Sequence, residues 1–191
     1  MVANAPGTAS PAGRTGTGRV LLLVGGVPGA GKTRLLARLL AQAPAGTRGL
    51  DSEQVAAALH RAGLRLPYRL LRPLVHAVHR ARVRAVLRGG APVVVLTDPL
   101  TSTRRRSALV RAARRAGREV HLVLLDAAAE EARRGQVDRR RAISDRSMAR
   151  HVRRWRAALD RLRVPGGTPG ATVAVVDRGS AGELTVEQLL R

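Results

Sequence analysis

The sequence predicts an α/β domain of three layers, a mainly parallel sheet between two layers of helices. Three observations predict it. Short, continuous apolar runs recur at residues 19–24, 93–97 and 120–125, a pattern that suits strands buried on both faces. Segments with helical spacing separate them, so right-handed crossovers set the strands parallel. The first run also passes through a glycine-rich turn, residues 25–31, directly into a helical segment.

Taken in order, residues 1–18 are rich in Gly, Pro, Thr, Ala and Ser and read as a disordered tail outside the domain, which spans 19–191. After the first strand and its turn, residues 32–42 set Leu35, Leu36, Leu39 and Leu40 on one side of a helix. A short strand is expected over 47–50, with Asp51 at its end. Ser52 then caps a helix over 53–61, which the stretch from Gly63 to Pro67 ends. A longer helix follows over 68–88, with Pro73 in or near its first turn and Gly89-Gly90 after it. The strand at 93–97 ends at Asp98, and Thr101 or Ser102 caps a helix reaching Ala116. The strand at 120–125 ends at Asp126, and a helix runs from there to Gly135. An Arg-rich connector occupies 136–143, and another helix 145–162. A last strand is expected over 171–177. Ser180 and Glu183 have capping-box spacing for a terminal helix over 183–190.

Composition narrows the function. Apolar residues make up 45% of the chain, which excludes disorder by composition, yet Phe is absent and there is one Trp and one Tyr. Leu, Val and Ala must therefore fill the interior. Cysteine is absent, which excludes disulfides, zinc–thiolate sites and thiol nucleophiles. No apolar run of about 18 residues is present to span a membrane. The N-terminus lacks the charged-then-apolar order of a signal peptide, so the cytoplasm is the default. The formal charge of +22 has two readings: a nucleic-acid partner, or codons rich in G and C, since Arg lies on every expected helix rather than on one face.

Gly26-Val27-Pro28-Gly29-Ala30-Gly31-Lys32-Thr33 fits G-x-x-x-x-G-K-[ST] without exception. Glycines let successive backbone N–H groups turn toward one point, and the helix that starts there adds its positive end. Lys32 then reaches the β- and γ-phosphates of ATP, Thr33 offers a hydroxyl to Mg²⁺, and Arg34 follows within the nucleotide-binding set. Lys32 is the only lysine in the chain. A compact ammonium on a flexible stem suits a tight phosphate loop, where a planar guanidinium would not fit. A single lysine also excludes the N-K-x-D segment with which GTPases read guanine. No second acid follows Asp98, as a motor ATPase would need.

The loop, the segment LDSE, then VVVLTDPLTSTRRR, HLVLLDA and RRGQVDRRRAIS together resemble the small P-loop kinases related to polynucleotide 5′-hydroxyl kinases and zeta toxins, within the wider group of AAA-type ATP-binding proteins. The resemblance covers residues 20–155. It implies a five-stranded sheet in the order 2-3-1-4-5, an Arg-bearing lid over about 136–144, and transfer of the γ-phosphate from Mg-ATP to an acceptor hydroxyl. It also implies a general base just after the second strand. Glu53 holds the first place of the acid-x-x-Arg pattern there, Asp51 is the other candidate, and Ala56 replaces the Arg that closes it. Asp98 falls where an acid meets the acceptor or the magnesium shell, and the lid cation falls at Arg139, beside Arg140 and Arg141.

Elementary chemistry supports these roles. Phosphoryl transfer spreads negative charge over the γ-oxygens, so cations and positioning do most of the work. Ligands of such sheets bind beyond the carboxyl ends of the strands, where Asp51, Asp98 and Asp126 all fall. Asp51 and Asp126 are also suited to capping helices, and Asp98 to forming a turn. Arg104–Arg106 at a helix start oppose the helix dipole and hint at an anionic contact. His76 and His79 are three apart on a helix with no carboxylate near them in sequence, and read as a packed or solvated pair. His151 and Trp155 share a helix face, Trp155 packing inward. The acceptor is a nucleic-acid hydroxyl or a small molecule, or the chain is an ATP-binding regulatory module with little transferase activity. The segment 68–88 discriminates between the first two: an open basic groove there favours nucleic acid, a closed apolar pocket a small molecule.

Overall fold

The computed structural model describes residues 18–64, 66–137, 144–164 and 166–190. The tail expected over 1–18 lies outside these except for Gly18, and so does Arg139 with Arg140 and Arg141.

Five parallel strands form one sheet in the order β2-β3-β1-β4-β5: β1 (Arg19–Gly26), β2 (Arg48–Leu50), β3 (Val93–Thr97), β4 (Arg118–Asp126) and β5 (Thr172–Asp177). The register sets Leu23 between Leu96 of β3 and Leu122 of β4. Those residues are almost wholly buried, as the uninterrupted apolar runs require. The helices are α1 (Lys32–Gln42), α2 (Ser52–Arg61), α3 (Tyr68–Arg88), α4 (Thr103–Arg115), α5 (Ala129–Val137), α6 (Asp145–Arg163) and α7 (Val186–Leu190). Leu35, Leu36 and Leu39 of α1 join one core with the strands, with Val110 and Ala113 of α4, and with Leu159 and Leu162 of α6. Trp155 is buried there, and a Cβ placed at Gly25 would touch it. A smaller cluster of Val55, Ala56, Leu71 and Val75 joins α2 to α3.

Several local expectations are corrected. The cap of α2 is Asp51, not Ser52: Asp51 Oδ1 accepts the Glu53 N–H at 2.9 Å, and Ser52 already belongs to the helix. Helix α3 has the expected bounds and continues through Pro73, its sixth residue. Asp126 does not cap α5. It closes β4 and pairs with Arg163 at 2.8 Å, while Glu131 Oε2 accepts the Ala128 N–H ahead of α5. The connector expected from residue 136 starts later, because Gln136 still belongs to α5. The capping box falls at Thr185 and Gln188, which exchange reciprocal bonds of 2.9 and 3.2 Å. Ser180 is diverted because Asp177 accepts both its N–H and its hydroxyl. A short 3-10 turn, Ser180–Gly182, forms there instead.

Two arginines belong to the interior. Arg118 donates to the carbonyls of Leu87, Ala91 and Gly89 at 2.8 Å each, with a longer contact to Val86. It thereby ties the carboxyl end of α3 to the start of β4, where a cation opposes the negative pole of the helix. Arg106 donates to the Leu100 carbonyl and to Thr168 Oγ1. Burial pushes both guanidinium pKa values down, with Arg19 adding to the effect on Arg118 and Arg161 to that on Arg106.

Candidate active site

The loop between β1 and α1 is bent by glycines whose conformations other residues rarely adopt. Gly29 has φ +86° and Gly31 φ +102°. A Cβ at Gly29 would collide with the Ala132 carbonyl of α5, whereas Gly31 faces open space and opens α1. Lys32 Nζ donates to the carbonyls of Gly26 and Val27 at 2.9 Å each, which holds the ammonium over the loop. Val27 and Ala30 are buried, Pro28 half-buried, and Arg34 exposed on α1. A cleft beside the loop is lined by Arg34, Arg38, Leu125, Arg178, Gly179 and Ala181. Arg38 and Arg178 were not found in the sequence reading. The rule that sites gather at the carboxyl ends of strands would have reached Arg178, which follows β5.

The structure brings the second strand to the loop. Thr33 Oγ1 donates to Asp51 Oδ2 at 3.0 Å, while Asp51 Oδ1 caps α2. The buried Asp51 carboxylate thus faces the loop and fixes the direction of the Thr33 hydroxyl. A hydroxyl that donates its proton this way turns its lone pairs elsewhere. Glu53, which the kinase pattern favours, lies half-buried in the first turn of α2. Ala56, in the place of the pattern's arginine, is buried in the cluster between α2 and α3.

Asp98 directly follows β3 beside the loop, its N–H donating to the Val24 carbonyl at 3.0 Å. Its Oδ1 accepts the Leu100 N–H at 2.8 Å, and its Oδ2 pairs with Arg105 at 3.1 Å. Leu100, at φ +54°, is the left-handed residue this tight Asp-Pro turn requires. The turn-forming role and a place in the site therefore coincide. Of the Arg104–Arg106 run, Arg105 finds an anionic contact inside the chain, at Asp98, whereas Arg106 donates to the neutral Leu100 carbonyl and Thr168 hydroxyl.

Of the two readings of the His76–His79 pair, packed or solvated, His79 takes the packed one and is buried, while His76 is half-buried. The fold also gives His79 acidic neighbours that the sequence did not reveal. For His79, the balance of these surroundings is as follows. Desolvation pushes its pKa below 6.5, and Arg105 and His76 add to this, while Asp51 and Asp98 oppose it. The His76 pKa is lowered too, by desolvation first and then by Arg105, Arg72 and Arg80, with Asp98 opposing. His151 of α6 is lowered by desolvation and then by Arg154, Arg150, Lys32 and Arg72, which places this helix within electrostatic reach of the loop. His79, Arg80 and Arg84 of α3 line a second cleft with Asp98 and Arg105. Its remaining walls are Val83, Leu87, Leu96, Leu109 and two alanines, an apolar floor under a charged mouth.

Mg²⁺ prefers hard oxygen ligands and usually keeps several waters alongside substrate phosphates. The Thr33 hydroxyl, oriented by Asp51, fits that requirement. Asp98 fits it less well, because its oxygens already serve Leu100 and Arg105. Among the described residues, no group of three or more His, Asp and Glu side chains converges as a metal cage.

No curated protein sequence matches the chain. Solved structures share its fold at low identity. A structure from the PezAT chromosomal toxin–antitoxin system of Streptococcus pneumoniae superposes with a TM-score of 0.63 at 16% identity, over 88% of this chain and 71% of that one. The tunicamycin resistance protein of Deinococcus radiodurans gives 0.55 at 15%, over 86% and 92%. A gluconokinase from Sinorhizobium meliloti gives 0.52 at 18%, over 90% of each chain. Likeness at such identities establishes the P-loop fold and leaves the activity to the site. The AAA domain family matches residues 21–165, most of the chain and the whole of the loop, the acidic strand ends and α6 up to Arg163, and the chain belongs to that family.

Proposed function

We propose that the chain is a Mg-ATP-dependent phosphotransferase that moves the γ-phosphate to the hydroxyl of a small molecule entering by the cleft between α3 and α4. The observation that carries this is the Thr33–Asp51 hydrogen bond, which sets a buried carboxylate against the phosphate loop. In this reading the loop amides and Lys32 hold the phosphates, and the nucleoside lies toward Arg34, Arg38 and Arg178. Thr33 would hold Mg²⁺ through its hydroxyl, and the bound ion would supply positive charge to offset that of the phosphates. Asp51 accepts the acceptor's proton as its oxygen bonds to the γ-phosphorus and the bond to ADP breaks. Asp98, steadied by Arg105, orients the acceptor hydroxyl. Arg139 carries the lid's share of the transition-state charge. Residues 19–191 act as one kinase unit, with the tail outside the chemistry, and dependence on ATP fits the cytoplasm.

The apolar floor of Val83, Leu87 and Leu96 supports a small acceptor over a polynucleotide end. So does the burial of Ala56 where the kinase pattern carries a cation. The test is label transfer from γ-labelled ATP in Mg²⁺, with 5′-hydroxyl oligonucleotides and a pool of small hydroxylated metabolites as parallel acceptors. Lys32→Ala controls for contaminating kinases. Label on a small molecule that disappears with Lys32→Ala sustains the reading. Label on oligonucleotide ends moves it to polynucleotide kinases, and ATP binding without transfer to either makes the chain a regulatory module.

A further inference from the structure

Helix α3 is apolar on two opposite sides. Leu71, Val75, Val83 and Leu87 are buried against the domain. Leu70, Leu74 and Val78, four apart, point outward and are 67, 42 and 40% exposed, with Leu66 ahead of them at 49%. A surface helix ordinarily carries one apolar face, so the outer one is unexplained by the fold. Helical spacing lays out three parallel rows on the exposed surface. The first is Leu70–Leu74–Val78, a ridge. Beside it runs Pro73–Ala77–Ala81–Ala85, a shallow channel of small exposed residues. Arg72, Arg80, Arg84 and Arg88 follow as a row of exposed cations. From Leu70 to Ala85 this face is about 24 Å long.

We propose that this face is the docking surface for an acidic amphipathic helix of a partner protein. A ridge beside a channel of alanines lets a second helix approach closely and interdigitate. The arginine row requires a complementary row of carboxylates, and α3 itself carries no acidic residue. A second copy of the chain supplies the wrong charge, since each copy carries 35 basic residues against 13 acidic ones. The chain's own N-terminal segment, residues 1–17, contains no acid either. An anionic membrane is the poorer fit, because the centre of the outward face, from Ala77 to Ala85, is alanine rather than a row of large apolar residues. The helix is held firmly to present this surface: Arg118 ties down its carboxyl end, and its inner residues sit in both core clusters. Arg80 and Arg84 also line the cleft with Asp98 and Arg105, but the ridge Leu70–Leu74–Val78 and the alanine channel lie outside that cleft, so the docking proposal survives a failure of the phosphotransfer reading.

The test uses the full chain and a synthetic fluorescent helical peptide of about 20 residues, enough to match the face. The peptide carries one glutamate row beside a Leu/Ala row. Its scrambled version keeps the composition and loses the rows. Fluorescence anisotropy at about 0.15 M salt limits unspecific charge attraction. The patterned peptide is expected to bind at least about tenfold more tightly than the scrambled one. Leu74→Asp and Ala81→Arg, both on the exposed face, are each expected to weaken it about tenfold or more with unchanged melting. Arg80→Glu with Arg84→Glu should also abolish binding, and lysines in place of the peptide's glutamates should restore it. Equal binding of both peptides, or none by either, overturns the proposal. So does tighter retention on phosphatidylglycerol vesicles that Leu74→Asp abolishes, or self-association that the same variant removes.

Discussion

Replacing Arg118 by Met should remove a large part of the stability of this domain. Arg118 is buried to 2% exposure, and its guanidinium donates to four carbonyls at the end of α3 and in the turn after it. Met keeps most of the side-chain volume, so the change isolates the polar loss from cavity formation. Three bonds of 2.8 Å from a charged donor contribute on the order of 1.5 kcal/mol each, and the carbonyls of Leu87, Gly89 and Ala91 lose a buried partner. Relief of the desolvated charge offsets part of that, leaving a net loss of about 3–5 kcal/mol. For a chain of this size that lowers Tm by on the order of 10 °C or more. Chemical denaturation with a shared m-value, together with calorimetry, measures it. Arg118→Lys keeps the charge but not the fork of donors, and should recover less than half. A loss below about 1 kcal/mol for Met would refute the reasoning, because water would then be serving those carbonyls as well as the guanidinium does.

Asp51→Asn keeps an oxygen to cap α2 but no proton acceptor, so label transfer should fall by about 10²-fold or more while stability changes by under about 1 kcal/mol. Parallel assays of Glu53→Gln decide the base, and a larger loss from Glu53→Gln would move it there. Gly29→Ala should weaken ATP binding by calorimetry far more than Gly31→Ala, because both carry the left-handed strain but only Gly29 meets a neighbouring backbone. A difference under about threefold would mean that the loop relaxes around the new methyl. His79 has a folded-state pKa below the ordinary 6.5. Stability from its neutral, buried state is full above pH 6.5 and is lost as pH falls through the folded value, since the unfolded chain binds the proton more readily. Unfolding free energies measured between pH 7 and 5 should therefore decline, and His79→Gln should flatten that decline; an unchanged slope would assign it to other groups.

The strands at 93–97 and 19–24 were legible because burial on both faces leaves an uninterrupted apolar run, and the loop because phosphate geometry dictates its glycines and lysine. The sheet order followed only from the kinase resemblance. Cap positions were less legible: Asp51 rather than the next residue, Ser52, caps α2, and Thr185 caps α7 where Asp177 has already engaged Ser180. The roles of individual arginines were the least legible. Their even spread along the chain does not mark Arg106 and Arg118 as interior donors to carbonyls, or Arg105 as the partner of Asp98. The sequence alone therefore determined the nucleotide-binding loop and the alternation of strands and helices, which rest on local patterns of a few residues. Only the tertiary structure decided that Asp51 meets Thr33 across 18 positions, that His79 lies near two acids, and that α3 leaves a second apolar face exposed. Those facts depend on how crossovers stack distant segments at one end of the sheet, and that stacking leaves no periodicity along the chain.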